Sequence, residues 1–411
     1  PAFESPPTLV AGTSETPAPR RRRRWGRSSQ KRQSSCPAAS SEPTTAAASQ
    51  QLRSITRQRR RSVAPRPMDR VKAALIDSPA SPFEQTVPRE LPPPLGRSRT
   101  RDFRPAALKA RIAEARIAEA PWRIVAWNVE RGYNLKAVIS SLKAEDPDVC
   151  LLSEVDVGCE RSGTVDVGAE IGAALGMVCV FATEKIRVNR TRDAEIGDVG
   201  MDDADAFDGV EGVAILTKAD VLRAETILLP DASGRRNPAK QRCALRATLD
   251  LGGSGETLDC FAVHLDAFAG RAARVDQFRP VLEAAVAAGA DGRVVVGGDL
   301  NTHQHGLAAL MPSLGGGFWS GDWRGTEAAR WRADVFAKTP LRDPFDDDAG
   351  ATTVSLGGLT LWGGKLDWLL YDERRLACVA TGAASSKDAS DHPWLRIDVA
   401  PSDAAADSVT L

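Results

Sequence analysis

Three short apolar runs in this chain end on polar side chains, and a fourth begins just after a pair of them. Residues 123–127 give way to Asn128 and Glu130, residues 149–152 to Ser153 and Glu154, and residues 294–296 lead through Gly297 and Gly298 to Asp299, Leu300 and Asn301. Near the C-terminus Ser390, Asp391, His392 and Pro393 precede the apolar run 395–399. Short runs rich in Val, Ile and Leu read as buried strands. Acids gathered where buried strands end point to metal chemistry.

The spacing between these runs fixes the class of fold. Leu135, Val138, Ile139 and Leu142 recur at i, i+3, i+4 and i+7, which predicts a helix that Pro147 ends. Residues 171–175 close a second helix and 177–181 form a strand. Residues 184–209, with Asp202, Asp203, Asp205 and Asp208, read as a polar surface loop over the site. Strands follow at 213–216, 221–229, 243–249 and 258–264, then a helix over 271–288 in which Pro280 is either a kink or the true start. The last third adds strands at 294–296, 365–371, 376–380 and 395–399. Consecutive strands without helices between them call for mixed or antiparallel sheets, so the expected α/β (α+β) fold has two mixed sheets packed face to face and flanked by helices.

Charge divides the chain. Residues 1–67 carry 14 Lys and Arg against 3 Asp and Glu, while the remainder carries 40 against 51, although the whole is neutral. The first segment is rich in Pro, Ser, Ala, Gln and Arg and cannot bury enough apolar surface to fold, so a disordered tail is expected. Its clusters Arg20–Arg24 and Arg57–Arg61 suit contact with nucleic acid or acidic lipid. Met68 is the first methionine and the expected natural start. Residues 68–120 read as a Pro-rich linker with a short helix over 106–120, residues 121–400 as the catalytic domain, and 401–411 as a tail. The acidic domain tells against strong non-specific nucleic-acid binding. Seven cysteines without a C-x-x-C pair read as reduced thiols. No run approaches the roughly 18 apolar residues of a membrane helix, so a soluble cytoplasmic protein without an integral membrane segment is expected.

The order and wording of the motifs resemble the endonuclease/exonuclease/phosphatase superfamily, the fold of DNase I, over residues 123–400. The resemblance is carried by Trp127-Asn128-Val129-Glu130, Leu151-Leu152-Ser153-Glu154-Val155-Asp156, Gly212-Val213-Ala214-Ile215-Leu216-Thr217-Lys218, Val263-His264-Leu265, Gly297-Gly298-Asp299-Leu300-Asn301-Thr302, Lys365-Leu366-Asp367-Trp368 and Ser390-Asp391-His392. It implies a four-layered α/β sandwich and hydrolysis of phosphoesters. It also implies that Glu130, Glu154 and Asp391 hold a divalent metal, Mg²⁺ or Mn²⁺. Val213 departs from the pattern, where many relatives have Asn.

Phosphoester hydrolysis needs a group to activate water and donors for charge on the phosphoryl oxygens. Asp299 suits water activation or protonation of the leaving group, and Asn301 suits a hydrogen bond to phosphate. His392 is the expected phosphate contact or general acid/base, with Asp367 holding its ring in one tautomer. His264 matches the family's other phosphate-binding histidine, and Asn128 is placed to orient a ligand or phosphate oxygen. His303 and His305 form an H-x-H pair too sparse for zinc. Asp266 is open between substrate contact and solvated acid, and Arg274 between a carboxylate near the site and a surface ion pair. The substrate is either nucleic acid or a phospholipid or small phosphate ester. The competing reading is a catalytically silent sandwich that serves as a binding scaffold.

Overall fold

The computed structural model describes residues 85–88, 90–109, 121–188, 209–232, 237–251, 256–267, 269–303, 326–356 and 359–402. The Arg-rich tail, most of the helix expected over 106–120, His305 and the C-terminal tail from residue 403 lie outside the described residues.

Two sheets face each other. One has seven strands, β1 (Ser98–Asp102), β2 (Trp122–Asn128), β3 (Val149–Val157), β4 (Val178–Val188), β5 (Gly209–Thr217), β14 (Leu376–Ser385) and β15 (Pro393–Pro401), in the order β1-β4-β5-β3-β2-β15-β14. The other has six, β6 (Asp220–Leu228), β7 (Cys243–Asp250), β8 (Thr257–His264), β9 (Arg293–Asp299), β10 (Leu341–Arg342) and β13 (Asp367–Asp372), in the order β10-β13-β9-β8-β7-β6. Each sheet contains one parallel pair, β2 with β3 and β8 with β9, and each of those pairs is bridged by a helix. A parallel neighbour needs such a crossover, whereas antiparallel strands do not. The bridging helices are α1 (Leu135–Glu145) and α3 (Arg271–Asp291); α2 (Val167–Leu175) packs beside α1 and α4 (Glu327–Asp334) belongs to the opposite layer. The strands β11 (Ala351–Leu356) and β12 (Leu359–Lys365) form a separate hairpin.

Period-two alternation builds three cores from these strands. Ile124, Ala126, Leu151, Val180, Leu245, Cys260 and Val295 face inward and fill the space between the sheets. Val125, Trp127, Cys150 and Leu152 face outward under α1 and α2, and Phe261, Val263, Val294 and Val296 face outward under α3 and α4. The result is the expected four-layered sandwich. Cys150, Cys159, Cys179, Cys243 and Cys260 are free and buried, as expected of reduced thiols. No helix among the described residues is long and apolar enough to cross a membrane.

The structure departs from the sequence reading in four places. The end of the expected linker is strand β1, which pairs antiparallel with β4, and Thr86 and Val87 donate their backbone N–H groups to buried Glu170. The first residues of the expected polar loop are strand: β4 runs to Val188, and Glu184 is buried because Arg242 Nη1 donates to it at 2.7 Å, while residues 189–208, with Asp202, Asp203, Asp205 and Asp208, lie outside the described residues. The strand expected over 365–371 is broken at Leu366, whose backbone bonds to Gly350 and Leu300 instead of continuing a ladder. Pro280 lies inside α3 and does not start it.

One glycine carries a conformational requirement that bears on the site. Gly298 has φ 140°, and a Cβ there would lie 1.9 Å from the carbonyl oxygen of Val263. A Gly298→Ala substitution is expected to cost about 3 kcal/mol of stability, through backbone strain and the clash together. A lower urea midpoint would register it.

Candidate active site

The inward-facing rows of the sandwich end on polar side chains. In β2 the row Ile124, Ala126 continues to Asn128; in β8 Cys260, Ala262 continues to His264; in β4 Val180, Ala182 continues to Glu184. In β9 Val295 and Gly297 lead to Asp299, and in β13 and β5 the rows run back from Leu369 to Asp367 and from Val213 to Glu211. Register brings these ends together: His264 pairs with Asp299 across β8 and β9, and Asp299 with Asp367 across β9 and β13. The apolar interior therefore turns polar along one edge of the sandwich.

His392 enters this edge from the turn before β15. Its Nδ1 lies 2.7 Å from Asp367 Oδ2 and its Nε2 3.9 Å from Asp299 Oδ2. Its backbone is fixed on both sides, since its N–H donates to Ser390 Oγ at 3.1 Å and its carbonyl accepts from Trp127 Nε1 at 3.0 Å. Burial alone would lower its pKa, but the carboxylates of Asp367, Asp391 and Asp299 outweigh burial and raise it well above the usual imidazole range. These carboxylates favour the protonated ring, in which Nδ1 donates to Asp367.

Asp299 and His264 are set the opposite way. Burial pushes the Asp299 carboxyl up to about 7, while Asn128 Nδ2 and the Asn301 N–H donate to it at 3.1 and 2.8 Å. His264 Nε2 lies 3.7 Å from Asp299 Oδ2 and 3.9 Å from Glu154 Oε1, and its Nδ1 is 3.9 Å from Glu184 Oε2. Burial, then Arg242 and Lys185, hold the His264 pKa well below its usual value, so this imidazole is neutral.

The three acids expected at a metal come from irregular backbone. Glu154 has φ 53° and sits where the pairing of β3 with β5 shifts register between Leu152 and Val155. Strict alternation would turn it toward the helices, and the bulge re-aims it. Glu130 has φ 45° in the turn after β2; its N–H donates to Asn128 Oδ1 at 3.0 Å and its Oε2 accepts from the Asp391 N–H at 3.1 Å. Burial, then Asp391 and Glu154, push the Glu130 carboxyl up to about 7. Burial alone would also raise Glu154, but Arg131, with Nη1 2.9 Å from Oε2, outweighs it and keeps that carboxylate ionised.

Glu130 feels the charges of Asp391 and Glu154, and a guanidinium is drawn against Glu154; carboxylate oxygens held in this way suit a hard divalent cation. Among the described residues, the three side chains whose ligand atoms all lie within 4.8 Å of one another are Asp299, Asp367 and His392. In that trio His392 Nδ1 lies 2.7 Å from Asp367 Oδ2, so that ring nitrogen is already engaged.

Several other residues take definite places. Asn128 and Asn301, expected at the phosphate, have their amides engaged within the protein: Asn128 bridges Glu130 and Asp299, and Asn301 Nδ2 donates to Leu265 O at 3.0 Å. Both position acids. Arg274 is buried in a two-pronged pair with Glu327, at 2.7 and 2.6 Å, and is no surface ion pair. Asp266 is buried and accepts from Gln277 Nε2 at 3.0 Å and from Lys240. His303 is buried and burial lowers its pKa to about 3, so it is neutral. Sequence reasoning missed Arg131, Glu184, Glu211 and Arg242. For Glu184 the signal is present, because it continues the row of Val180 and Ala182; for Arg131, adjacency to Glu130 is the only hint.

A family model described as the Endonuclease/Exonuclease/phosphatase family matches residues 125–392. Among solved structures, an endonuclease/exonuclease/phosphatase from Beutenbergia cavernae DSM 12333 is similar at 16% identity with a TM-score of 0.50, over 69% of this chain and 72% of that one. The human Nocturnin catalytic domain with bound sulfate follows at 18% identity and a TM-score of 0.46, over 74% and 98% of the two chains. A functionally unknown conserved protein from Enterococcus faecalis V583 has 16% identity and a TM-score of 0.45, over 68% and 100%. No curated protein matches.

Proposed function

The chain belongs to the endonuclease/exonuclease/phosphatase family, and on that premise we propose that it hydrolyses phosphodiester or phosphomonoester bonds with a divalent cation, Mg²⁺ or Mn²⁺, by direct attack of water on phosphorus. The observation that carries the reading is the His392–Asp367 pair, whose Nε2 is turned toward Asp299, set beside the three acids Glu130, Glu154 and Asp391. Membership of the family and the arrangement of acids support it together.

Glu130, Glu154 and Asp391 would hold the cation, which when bound neutralises charge on the phosphoryl group and polarises its oxygens. Asp299, as carboxylate, accepts the proton of the attacking water. Asn128 and the Asn301 N–H fix the orientation of that carboxylate. His392 donates from Nε2 to a phosphoryl or leaving-group oxygen while Asp367 stabilises the charged ring. His264, neutral, adds a second donor without bringing a positive charge next to Asp299.

A pH profile follows from the Asp299 environment. Below about 7 its carboxyl holds a proton and cannot take another, so kcat/KM should rise with pH through about 7 and then level off. His392 stays protonated across that range, because its pKa is raised well above the usual value. A falling profile between about pH 6 and 8 would remove Asp299 from the role of base.

The test of the reaction is turnover by the full chain, with Mg²⁺ or Mn²⁺ added, on bis-p-nitrophenyl phosphate, p-nitrophenyl phosphate, plasmid DNA, RNA, sphingomyelin and inositol phosphates. Hydrolysis of at least one, abolished by EDTA, is expected. A folded protein that binds the metal and turns over none of them would instead be a binding scaffold.

A further inference from the structure

A chain of buried charges that the proposed reaction leaves unused runs up to Glu154. Asp156 on β3 and Glu211 on β5 stand directly opposite each other in the ladder, two buried acids whose like charges repel. Arg161, from the turn after β3, answers both: Nε and Nη2 donate to Asp156 at 2.8 Å each, and Nη2 donates to Glu211 at 2.9 Å. Lys185, opposite Glu211 on β4, donates to it as well. Two cations thus meet two acids, and that balance closes without Arg131.

The charge of Arg131 is therefore left for Glu154. Its Nη1 lies 2.9 Å from Glu154 Oε2, whereas its Nε is 3.6 Å from Glu211 Oε2, the longer and weaker of the two contacts. Arg131 is also the accessible end of the chain, with a side chain 22% exposed where that of Arg161 is sealed at 0%. Glu130 and Arg131 both hold left-handed backbone, φ 45° and 61°, so the turn after β2 accepts strain at the two residues that bring a carboxylate and a guanidinium to this end of the sandwich. We propose that Arg131 is a resident counter-ion of the cation site: it neutralises Glu154 when no metal is bound, and competes with the metal for that carboxylate. The inference rests on the phosphoesterase reading for the cation alone. Its consequence is a pair of effects with opposite signs. Arg131 stabilises the metal-free protein, because a partly buried carboxylate without a partner is costly. It weakens metal binding, because its contact with Glu154 has to give way and its charge opposes the incoming cation. Even with water-like screening, a unit charge about 5 Å from a dication changes its affinity about tenfold.

Calorimetric titration of the full chain with MnCl2, after EDTA treatment and dialysis, tests this. Arg131→Gln drops the charge but keeps a hydrogen-bond donor, and should bind Mn²⁺ about tenfold more tightly than the parent while melting at a lower temperature before Mn²⁺ is added. Arg131→Ala should shift both quantities in the same directions, so that either neutral variant decides if the other fails to fold. Arg131→Lys keeps the charge and should stay within about threefold of the parent affinity. In a Glu154→Gln background the tightening should vanish. A guanidinium that only shapes the turn has no reason to oppose the metal: equal or weaker Mn²⁺ binding by the neutral variants overturns the inference. The affinities decide it with or without turnover. A parent that binds Mn²⁺ and hydrolyses an ester leaves the phosphoesterase reading standing whatever the variants do, Mn²⁺ binding by the neutral variants alone upholds the competition, and binding by neither parent nor variants sinks the cation site and the counter-ion together.

Discussion

His392→Ala should reduce kcat by about a thousandfold or more in a protein that still folds. His392 ties the two sheets together at this edge: Nδ1 meets Asp367 on β13 of one sheet, while its backbone is bound to Trp127 on β2 of the other and to Ser390. Those two anchors are made by the His392 carbonyl and N–H, so alanine keeps them, and the turn that carries Asp391 stays in place. What is lost, on the proposed reading, is the Nε2 donor to the phosphoryl group. Asp367→Asn separates the parts of this effect, because an amide preserves the contact but cannot stabilise the charged ring. Its cost should be smaller, and the double variant should be no worse than His392→Ala, since groups acting as a unit are not additive. A His392→Ala protein with activity within about threefold of the parent would remove the imidazole from the chemistry.

Why the sequence disclosed so much of this site follows from the alternation. A strand that is apolar on its inner face and ends on a polar residue at the same parity announces both a buried sheet and a polar edge, and Asn128, His264 and Asp299 all obey that rule. Motif order supplied the acids that do not obey it. Glu154 and Glu130 have positive φ, and no periodicity reads a bulge or a left-handed turn residue. Glu184 was legible by parity but lies at the head of a strongly acidic stretch, and polarity won over alternation in placing it. Arg242, Arg131 and Glu211 were beyond reach for a different reason: a buried ion pair is defined by partners far apart in sequence, as when Arg161 joins Glu211 at 2.9 Å and Arg242 joins Glu184 at 2.7 Å. Strand β1 was hidden because its paired face is set by β4, while the prolines that precede it suggested only a linker.

Removal of the metal should abolish hydrolysis, and Glu154→Gln should lower it at least about a hundredfold while weakening Mn²⁺ binding in calorimetry. The like charges that suit these acids to the proposed cation make them costly without one. Glu130 feels the charges of both Asp391 and Glu154, and Arg131, with Nη1 2.9 Å from Oε2, is the counter-charge on Glu154. Arg131 also reaches Glu211, with Nε 3.6 Å from Oε2, so it is held between two acids and would keep a partner if a cation replaced it at Glu154. Two consequences separate this picture from a merely structural carboxylate. Added Mg²⁺ or Mn²⁺ should raise the Tm of the parent by mass action on the native state, and should raise that of Glu154→Gln much less. Glu130→Gln should leave the metal-free protein at least as stable as the parent above neutral pH, because an amide removes one of three repelling charges and can keep the hydrogen bond from the Asp391 N–H at 3.1 Å. Its metal response should fall all the same. A Glu130→Gln protein that is both much less stable without metal and fully active with it would mean that this carboxylate holds the turn together and not the cation.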